Sequence, residues 1–397
     1  MFQVMGTPSP DRNKRVKELN ELGFKWANIG EEPYWMDQVV AMRKEAYAEL
    51  TDAAGKLWQV FDKAARFVLR RRDLYAALSI PEVLWDGLDH LEPGPPGFLS
   101  RYARFDFAVH SNGTIKLLEL NADTPTGYVE AAVATPWMCR QYDLDSPNEG
   151  MAELIRHAWW EEAPEYAACI GYGTHAEDSG TIEMLVQHSG REIKCVDCLE
   201  LWVDEGFLKD GQNRKIASLF ALYPKEWMAV DEGGEAFAFA IEEGNVRLFN
   251  PLQAVLLQSK GLQAVIWGLH EFGAGLFNQA EHDAIARYML PTYNMPVLET
   301  DYVSKSMFGR EGGSVQMYNR QGELEIKDEE GFDTSVFFSR VYQQRMDLPR
   351  LQFDSGEFHL LTGLFVLNGT PCGLLGRAGG LITGNASHFI AMGVSRD

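Results

Sequence analysis

One stretch constrains the fold more than any other: Arg101-Tyr-Ala-Arg104-Phe-Asp106-Phe-Ala-Val-His110, then Ser111-Asn112-Gly113, then Thr114-Ile-Lys-Leu-Leu118-Glu119-Leu-Asn121. Two runs of strand-forming residues flank an Asn-Gly pair, which accepts the positive φ angles of a tight type I′ turn, so the stretch predicts an antiparallel β-hairpin. With Asn112 and Gly113 as the two turn residues, Asp106 pairs with Glu119 and Arg104 with Asn121, all four on one face of the ribbon. Directly opposed side chains have Cβ atoms about 4.5 to 5.5 Å apart, where like charges repel. Two readings stand side by side. Arg104 alone offsets the carboxylates, or a hard divalent cation sits between oxygens of Asp106, Glu119 and Asn121.

Around this hairpin the chain divides by composition and pattern. From Pro33 to about Leu74 the apolar residues Val40, Tyr47, Leu50, Ala54, Leu57, Phe61, Ala65 and Val68 recur at helical steps, predicting one long amphipathic helix or two in series. Glu92-Pro-Gly-Pro-Pro-Gly97 breaks any helix and sets a boundary near 95. Glu165-Tyr-Ala-Ala-Cys-Ile-Gly-Tyr-Gly173, a polar helical run and Arg191-Glu-Ile-Lys-Cys-Val-Asp-Cys198 read as a β-α-β unit. A third section opens at Phe249-Asn-Pro251 with a helical run from Val255 to Gly273, followed by short strands and glycine-rich loops. The expected division is 1–95 helical, 96–250 α/β with a substrate and metal site, and 251–397 nucleotide-binding. The fold class is α/β (α+β).

With 36 basic against 57 acidic residues, the formal charge of −21 disfavours nucleic acid, which needs a basic stripe, and favours cationic ligands such as amines or metal ions. Five cysteines are too few and too odd in number for a disulfide framework in a chain of 397 residues. The amino terminus lacks the apolar core of a signal peptide, and no window holds the roughly 18 apolar residues of a membrane span. A cytoplasmic protein is expected.

Weaker motifs point in different directions. Lys305, followed by Gly309-Arg310-Glu311-Gly312-Gly313-Ser314, joins a lysine to a flexible loop of the kind that approaches phosphates, although it is no Walker A sequence. Lys260 and Arg377 are further phosphate candidates. Asn121-Ala-Asp123-Thr124-Pro125-Thr126-Gly127 places short polar groups just past a strand end, where ligand loops lie. Gly171-Tyr-Gly173-Thr-His-Ala176 with Asp197 fits a dinucleotide fingerprint, which would make the chain a nicotinamide-dependent oxidoreductase. Glu177 and Asp178 at the helix start disfavour a pyrophosphate there and suit a protonated amine. Cys195 and Cys198 have no second pair at zinc spacing.

Taken in order, several of these words resemble the synthetase domain of glutathionylspermidine synthase and related acid–amine ligases. They are Arg104-Phe-Asp106, Leu118-Glu119-Leu-Asn121-Ala-Asp123-Thr124-Pro125-Thr126, Glu130-Ala131, Tyr223-Pro-Lys-Glu226-Trp227, Asn250-Pro251 and Ser259-Lys260, then Lys305 with Gly309-Arg310-Glu311-Gly312, Tyr342-Gln343, and Arg377 with Ile382-Thr383. The resemblance implies an ATP-grasp fold with a preceding α/β domain, and ATP and Mg²⁺ as cofactors. It implies Asp106, Glu119 and Asn121 on the metal and Lys260, Lys305, Gly309, Gly312, Gly313 and Gln343 around ATP. Arg104 and Arg377 would act on the transferring phosphoryl group. Thr124 and Thr126 would line a glutathione-like acid site, and Glu177 with Asp178 would receive a polyamine-like amine. Arg377-Ala-Gly-Gly380 departs from the family, which carries acidic residues after the arginine, and the usual serines are missing around Thr124. No amidase domain is expected. The implied activity is ATP-dependent amide formation through an acyl phosphate; a non-catalytic nucleotide-binding protein of the same fold is the alternative.

Overall fold

The structure is a computed structural model. It describes residues 1–397 except 8, 95, 96, 163–165, 311, 329–337, 385 and 397. Glu311 of the glycine-rich loop and part of the Pro-Gly boundary thus lie outside the described residues.

Its centre is an eight-stranded sheet that takes strands from all three stretches of the chain. The order is Phe2–Met5, Trp35–Met42, His388–Val394, Thr370–Gly379, Gly356–Leu367, Tyr102–Val109 and Ile115–Asn121, with Arg350–Phe353 also paired to Gly356–Leu367. Trp35–Met42 and His388–Val394 run parallel; the other neighbours are antiparallel.

The expected amino-terminal helical segment therefore contributes strands as well. Val40 belongs to the strand Trp35–Met42, and the helix starts only at Lys44 and runs to Val68. All eight strand residues are buried, so no polar alternation marks them, and helical steps drawn through Val40 coincide with the true helix by chance. In the helix itself the expected stripe is real: Leu50, Ala54, Leu57, Phe61, Ala65 and Val68 are inaccessible to solvent. Trp58 and Phe61 pack edge-on against Phe105 of the hairpin strand. Burying a side chain of this size contributes about 1.5 to 3 kcal/mol, so this helix fixes the back of the hairpin.

A second sheet is parallel, in the order Arg247–Leu248, Ser218–Ala221, Ala167–Gly171, Lys194–Asp197, with the helix Ala176–Ser189 between its first two strands in sequence. The strand order reverses on either side of Ala167–Gly171. Loops leaving the carboxyl ends of Ala167–Gly171 and Ser218–Ala221 then diverge, which opens a crevice at that point.

The third sheet is antiparallel: Thr292–Tyr293, Arg340–Gln344, Tyr302–Ser306, Gln316–Tyr318, Leu324–Lys327. The helices Ala254–Gln258 and Gly261–Glu271 lead into it. They are broken at Ser259, whose hydroxyl donates to the Leu78 carbonyl at 2.7 Å, and the break puts Lys260 at the start of the second helix.

Candidate active site

The hairpin pairs Arg104 with Asn121 and Asp106 with Glu119. It reaches this register by a different route from the one the sequence suggested. The turn is a three-residue loop closed by His110 and Thr114, with only Gly113 at positive φ (+91°) and Asn112 outside that region. Such a loop alone would shift every pairing by one. The register shifts back between Asp106 and Phe107, because Leu118 is an extra residue between Leu117 and Glu119. The Leu118 carbonyl accepts from Lys305 Nζ at 3.1 Å and Gln343 Nε2 at 3.3 Å.

On the cavity-facing side of the ribbon each carboxylate has its own cation. Arg104 donates from Nε and Nη2 to the two oxygens of Asp106 at 2.6 and 2.9 Å, and from Nη1 to the Thr126 carbonyl at 2.6 Å. Lys260 Nζ lies 3.3 Å from Glu119 Oε2. Asn121 Nδ2 bridges the two acids, 3.0 Å from Asp106 and 3.3 Å from Glu119. Burial pushes the Glu119 carboxyl up, but the charges of Lys260 and Lys305 and the Asn121 amide outweigh it and bring it down to about 2. Among the described residues no three His, Cys, Asp or Glu side chains converge, so a metal here would rest on two carboxylates and one amide. That hard-oxygen set fits Mg²⁺, which commonly takes one or two carboxylates and completes its shell with water and phosphate oxygens.

Lys305 and Gln343 stand on facing strands, with Lys305 Nζ donating to Gln343 Oε1 at 2.9 Å. Gln343 Nε2 also approaches Gln263 Oε1 at 3.1 Å, so its side chain is locked. Burial lowers the Lys305 ammonium to about 8 despite the attraction of Glu119. Lys260, Lys305, Gly309, Gly312, Gly313 and Gln343 line one cavity, whose floor is hydrophobic (Val303, Met317, Leu348, Leu361). Lys260 Nζ also donates to the Gly309 carbonyl at 2.6 Å, so the loop sits closed over the lysine.

A second cavity shares Glu119, Gly312, Leu361 and Thr383 with the first and adds Arg104, Asp106, Asn121, Thr124, Thr126, Arg310 and Arg377. It opens into a cleft of about 650 Å³, a size that suits a small-molecule ligand. That cleft occupies the crevice of the parallel sheet, between Tyr172 and Leu222, and includes Glu177 and Asp178. Burial raises the Asp178 carboxyl, with His175 opposing. Arg377 donates from Nη2 to Gly384 at 2.8 Å, while its buried Nε has no partner among the described residues.

All fifteen side chains and glycines singled out in the sequence thus line one continuous path. Several residues that had no assigned part join them. Arg310 donates from Nε and Nη2 to Glu226 at 3.0 and 2.7 Å and from Nη1 to Thr124 at 2.5 Å. Lys225 pairs with buried Asp123. Asn250 accepts from the Arg101 and Tyr102 amides and donates to the Asp123 carbonyl, and Gln258 accepts from the amides of Ala122 and Asp123. These bonds pin the Asn121–Thr126 loop, and in the sequence the words Tyr223–Trp227, Asn250-Pro251 and Gly309-Arg310 hinted at them. Asp197 of the dinucleotide fingerprint is engaged by the loop itself, accepting from the Gly173 and Leu199 amides at 3.2 and 2.9 Å.

A mixed α/β chain with an antiparallel lobe folded over a carboxylate-bearing hairpin, beside a parallel α/β unit, has the architecture of an ATP-grasp protein with its preceding domain. Residues 6–395 match the glutathionylspermidine synthase pre-ATP-grasp family, and the chain belongs to that family. It is 27% identical over 411 residues to a putative acid–amine ligase of Haemophilus influenzae, covering 98% of each chain. It is 24% identical over 362 residues to the bifunctional glutathionylspermidine synthetase/amidase of Escherichia coli and to that of Shigella flexneri, covering 81% of this chain and 54% of either relative. The chain spans about half the length of those bifunctional enzymes. No helix among the described residues is long and apolar enough to cross a membrane.

Proposed function

We propose that this protein is an ATP-dependent ligase that joins a carboxylic acid to an amine. The observation that carries the reading is the junction where Arg104, Arg310 and Arg377 separate the lysine-bearing cavity from the acidic cleft. ATP fits the first space, with Lys260 and Lys305 as point charges for its phosphates and Gly309, Gly312 and Gly313 beside them. The reacting acid belongs at the junction beside Thr124 and Thr126, and the amine beside Glu177 and Asp178.

A carboxylate is a poor acyl donor, so the γ-phosphoryl group is transferred to it first, giving an acyl phosphate that the amine then attacks. Arg104 and Arg377 border the space through which that group passes and offset its charge. Asp106, Glu119 and Asn121 would hold Mg²⁺, which neutralises phosphate charge when bound. The closed glycine loop and the Arg310–Glu226 contact keep water from the acyl phosphate. A glutathione-like acid and a polyamine-like amine are the substrate classes this arrangement suits, and a cytoplasmic site of action agrees with free cysteines throughout.

The test is ADP release from ATP and Mg²⁺ with glutathione and a panel of di- and polyamines, with products weighed by mass spectrometry. A product of acid plus amine less one water establishes the ligase. ATP bound but never consumed with any pair would favour a binding protein of the same fold.

A further inference from the structure

The proposed reaction needs a proton acceptor. An alkylamine arrives as an ammonium ion, and Glu177 and Asp178, by attracting it, hold its proton more firmly. The wall of the acidic cleft supplies a candidate.

Glu130 opens a short π-helical segment, Glu130–Ala134, a distortion frequent at functional sites. Its side chain has no exposure to solvent. Oε1 accepts from Trp26 Nε1 at 2.7 Å and from the Tyr34 hydroxyl at 3.1 Å, while Oε2 is buried without a partner among the described residues. A half-satisfied carboxylate shut away from water gains by taking up a proton. Burial accordingly raises its pKa, against the Trp26 and Tyr34 hydrogen bonds and the charge of Arg377.

Tyr34 connects this acid to the cleft. Its side chain is part of the cleft wall that also holds Glu177, Asp178 and Arg377. Its backbone is fixed on both sides, the amide donating to Ala27 at 3.1 Å and the carbonyl accepting from Phe389 at 2.9 Å. Burial, then Glu130 and Glu177, push the phenol well above its ordinary value, with Arg377 opposing, so Tyr34 stays protonated and can relay a proton without storing one. The charged and titratable groups facing the pair are Glu177, Arg377 and the buried Tyr102 hydroxyl.

We propose that Tyr34 and Glu130 form the proton relay that frees the attacking amine, Tyr34 as the catalytic residue at the substrate and Glu130 as the acceptor behind it. The inference rests on the ligase reading. The ammonium gives one proton to Tyr34 Oη as the Tyr34 hydroxyl proton passes to Glu130 Oε1. The neutral nitrogen then forms the C–N bond to the acyl carbon, the C–O bond to phosphate breaks, and phosphate leaves with that electron pair and the second nitrogen proton. Between turnovers Glu130 returns its proton through the Tyr34 hydroxyl to the open cleft.

The test compares two nucleophiles in the full chain with ATP, Mg²⁺ and glutathione. Hydroxylamine is unprotonated at neutral pH and captures an acyl phosphate as the hydroxamate without help from a base, whereas spermidine must first lose a proton. In Tyr34→Phe and Glu130→Gln, hydroxamate formation should stay within about twofold of the parent. Amide formation with spermidine should fall on the order of 10²-fold near neutral pH and recover partly as the pH is raised, since general base catalysis contributes about that much. Parallel loss with both nucleophiles, or no loss with spermidine, overturns the relay. A parent that makes no hydroxamate overturns the ligase reading, and the relay with it. Should Glu130→Gln fail to fold, Tyr34→Phe, which keeps the ring and its packing, decides alone.

Discussion

Arg104 holds Asp106 through two parallel hydrogen bonds of 2.6 and 2.9 Å, and both side chains are buried. Asp106 therefore does two jobs in the proposed site, as a metal ligand and as the counter-ion of a buried guanidinium.

That double role separates two mutations that would otherwise look alike. Asp106→Ala leaves Arg104 buried and unpaired, which typically costs about 3 to 5 kcal/mol. Glu119→Ala should cost less, because a quarter of that side chain is exposed and Lys260 keeps its bond to the Gly309 carbonyl. Both are expected to abolish Mg²⁺-dependent ADP release. Urea denaturation of the two variants beside the parent is the check; equal stabilities would break the assigned role of the Arg104 pair.

The glutamate and the lysine of the nucleotide cavity both predict stability that rises with pH, in two separate windows. Glu119 is held at about 2, below its unfolded value near 4.5, so its contribution to stability is complete above pH 4.5 and is lost as the pH falls from there towards 2. Lys305 titrates near 8 in the folded chain against 10.5 when unfolded, so the unfolded chain binds more protons between those values. Its contribution to stability should therefore rise with pH across that window, while its charge for phosphate is lost. ATP affinity measured by calorimetry is expected to weaken above about pH 8 in the parent. In Lys305→Gln it should be weak throughout and lack this step.

The hairpin shows how far the sequence carries. Strand positions and the facing of Asp106 and Glu119 were legible because Asn112-Gly113 marks a turn and both flanking runs favour strands. The route was not. A three-residue loop and the extra Leu118 offset one another, and nothing in the identity of Leu118 announces a bulge. Trp35–Met42 was unreadable for a related reason: a strand buried on every residue has no alternation to set it apart from a helix. Lys260, Lys305 and Glu177 could be singled out one by one, but their meeting along one path depends on three sheets packing together. Arg310 and Glu226 stood 84 positions apart, and only the fold places one against the other.

Gly312 tests whether the loop must close. Its φ is +73°, and a Cβ there would lie 2.7 Å from the Thr383 carbonyl oxygen and 3.0 Å from Ile382. Gly312→Ala thus adds a strained backbone to a clash with backbone, and neither is relieved by turning a side chain. The sheet beneath does not depend on this contact, so thermal stability should change by less than about 1 kcal/mol. The KM for ATP should rise at least about tenfold, equivalent to roughly 1.4 kcal/mol of lost closure. Unchanged ATP kinetics would show that the loop acts without packing on residues 382 and 383.

Arg310 links that loop to the acid site. Its guanidinium donates twice to Glu226 and once to Thr124, so closing the glycine loop and ordering Thr124 are one event. Glu226 is fully buried, and burial raises its carboxyl while Arg310 opposes that rise. Arg310→Ala removes the opposition and leaves the acid to protonate or to pull water into the junction. Arg310→Lys keeps a charge but cannot reach Glu226 and Thr124 with separate donors in one plane. Both variants are expected to lower coupled turnover and to raise ADP release without amide product, because an acyl phosphate is then exposed to water. The ratio of ADP to amide, near one for a tight site, is the quantity to measure. If Arg310→Ala slows ADP and amide formation equally and leaves that ratio at one, Arg310 contributes to the rate but does not seal the site, and the water-excluding part belongs to the loop glycines alone.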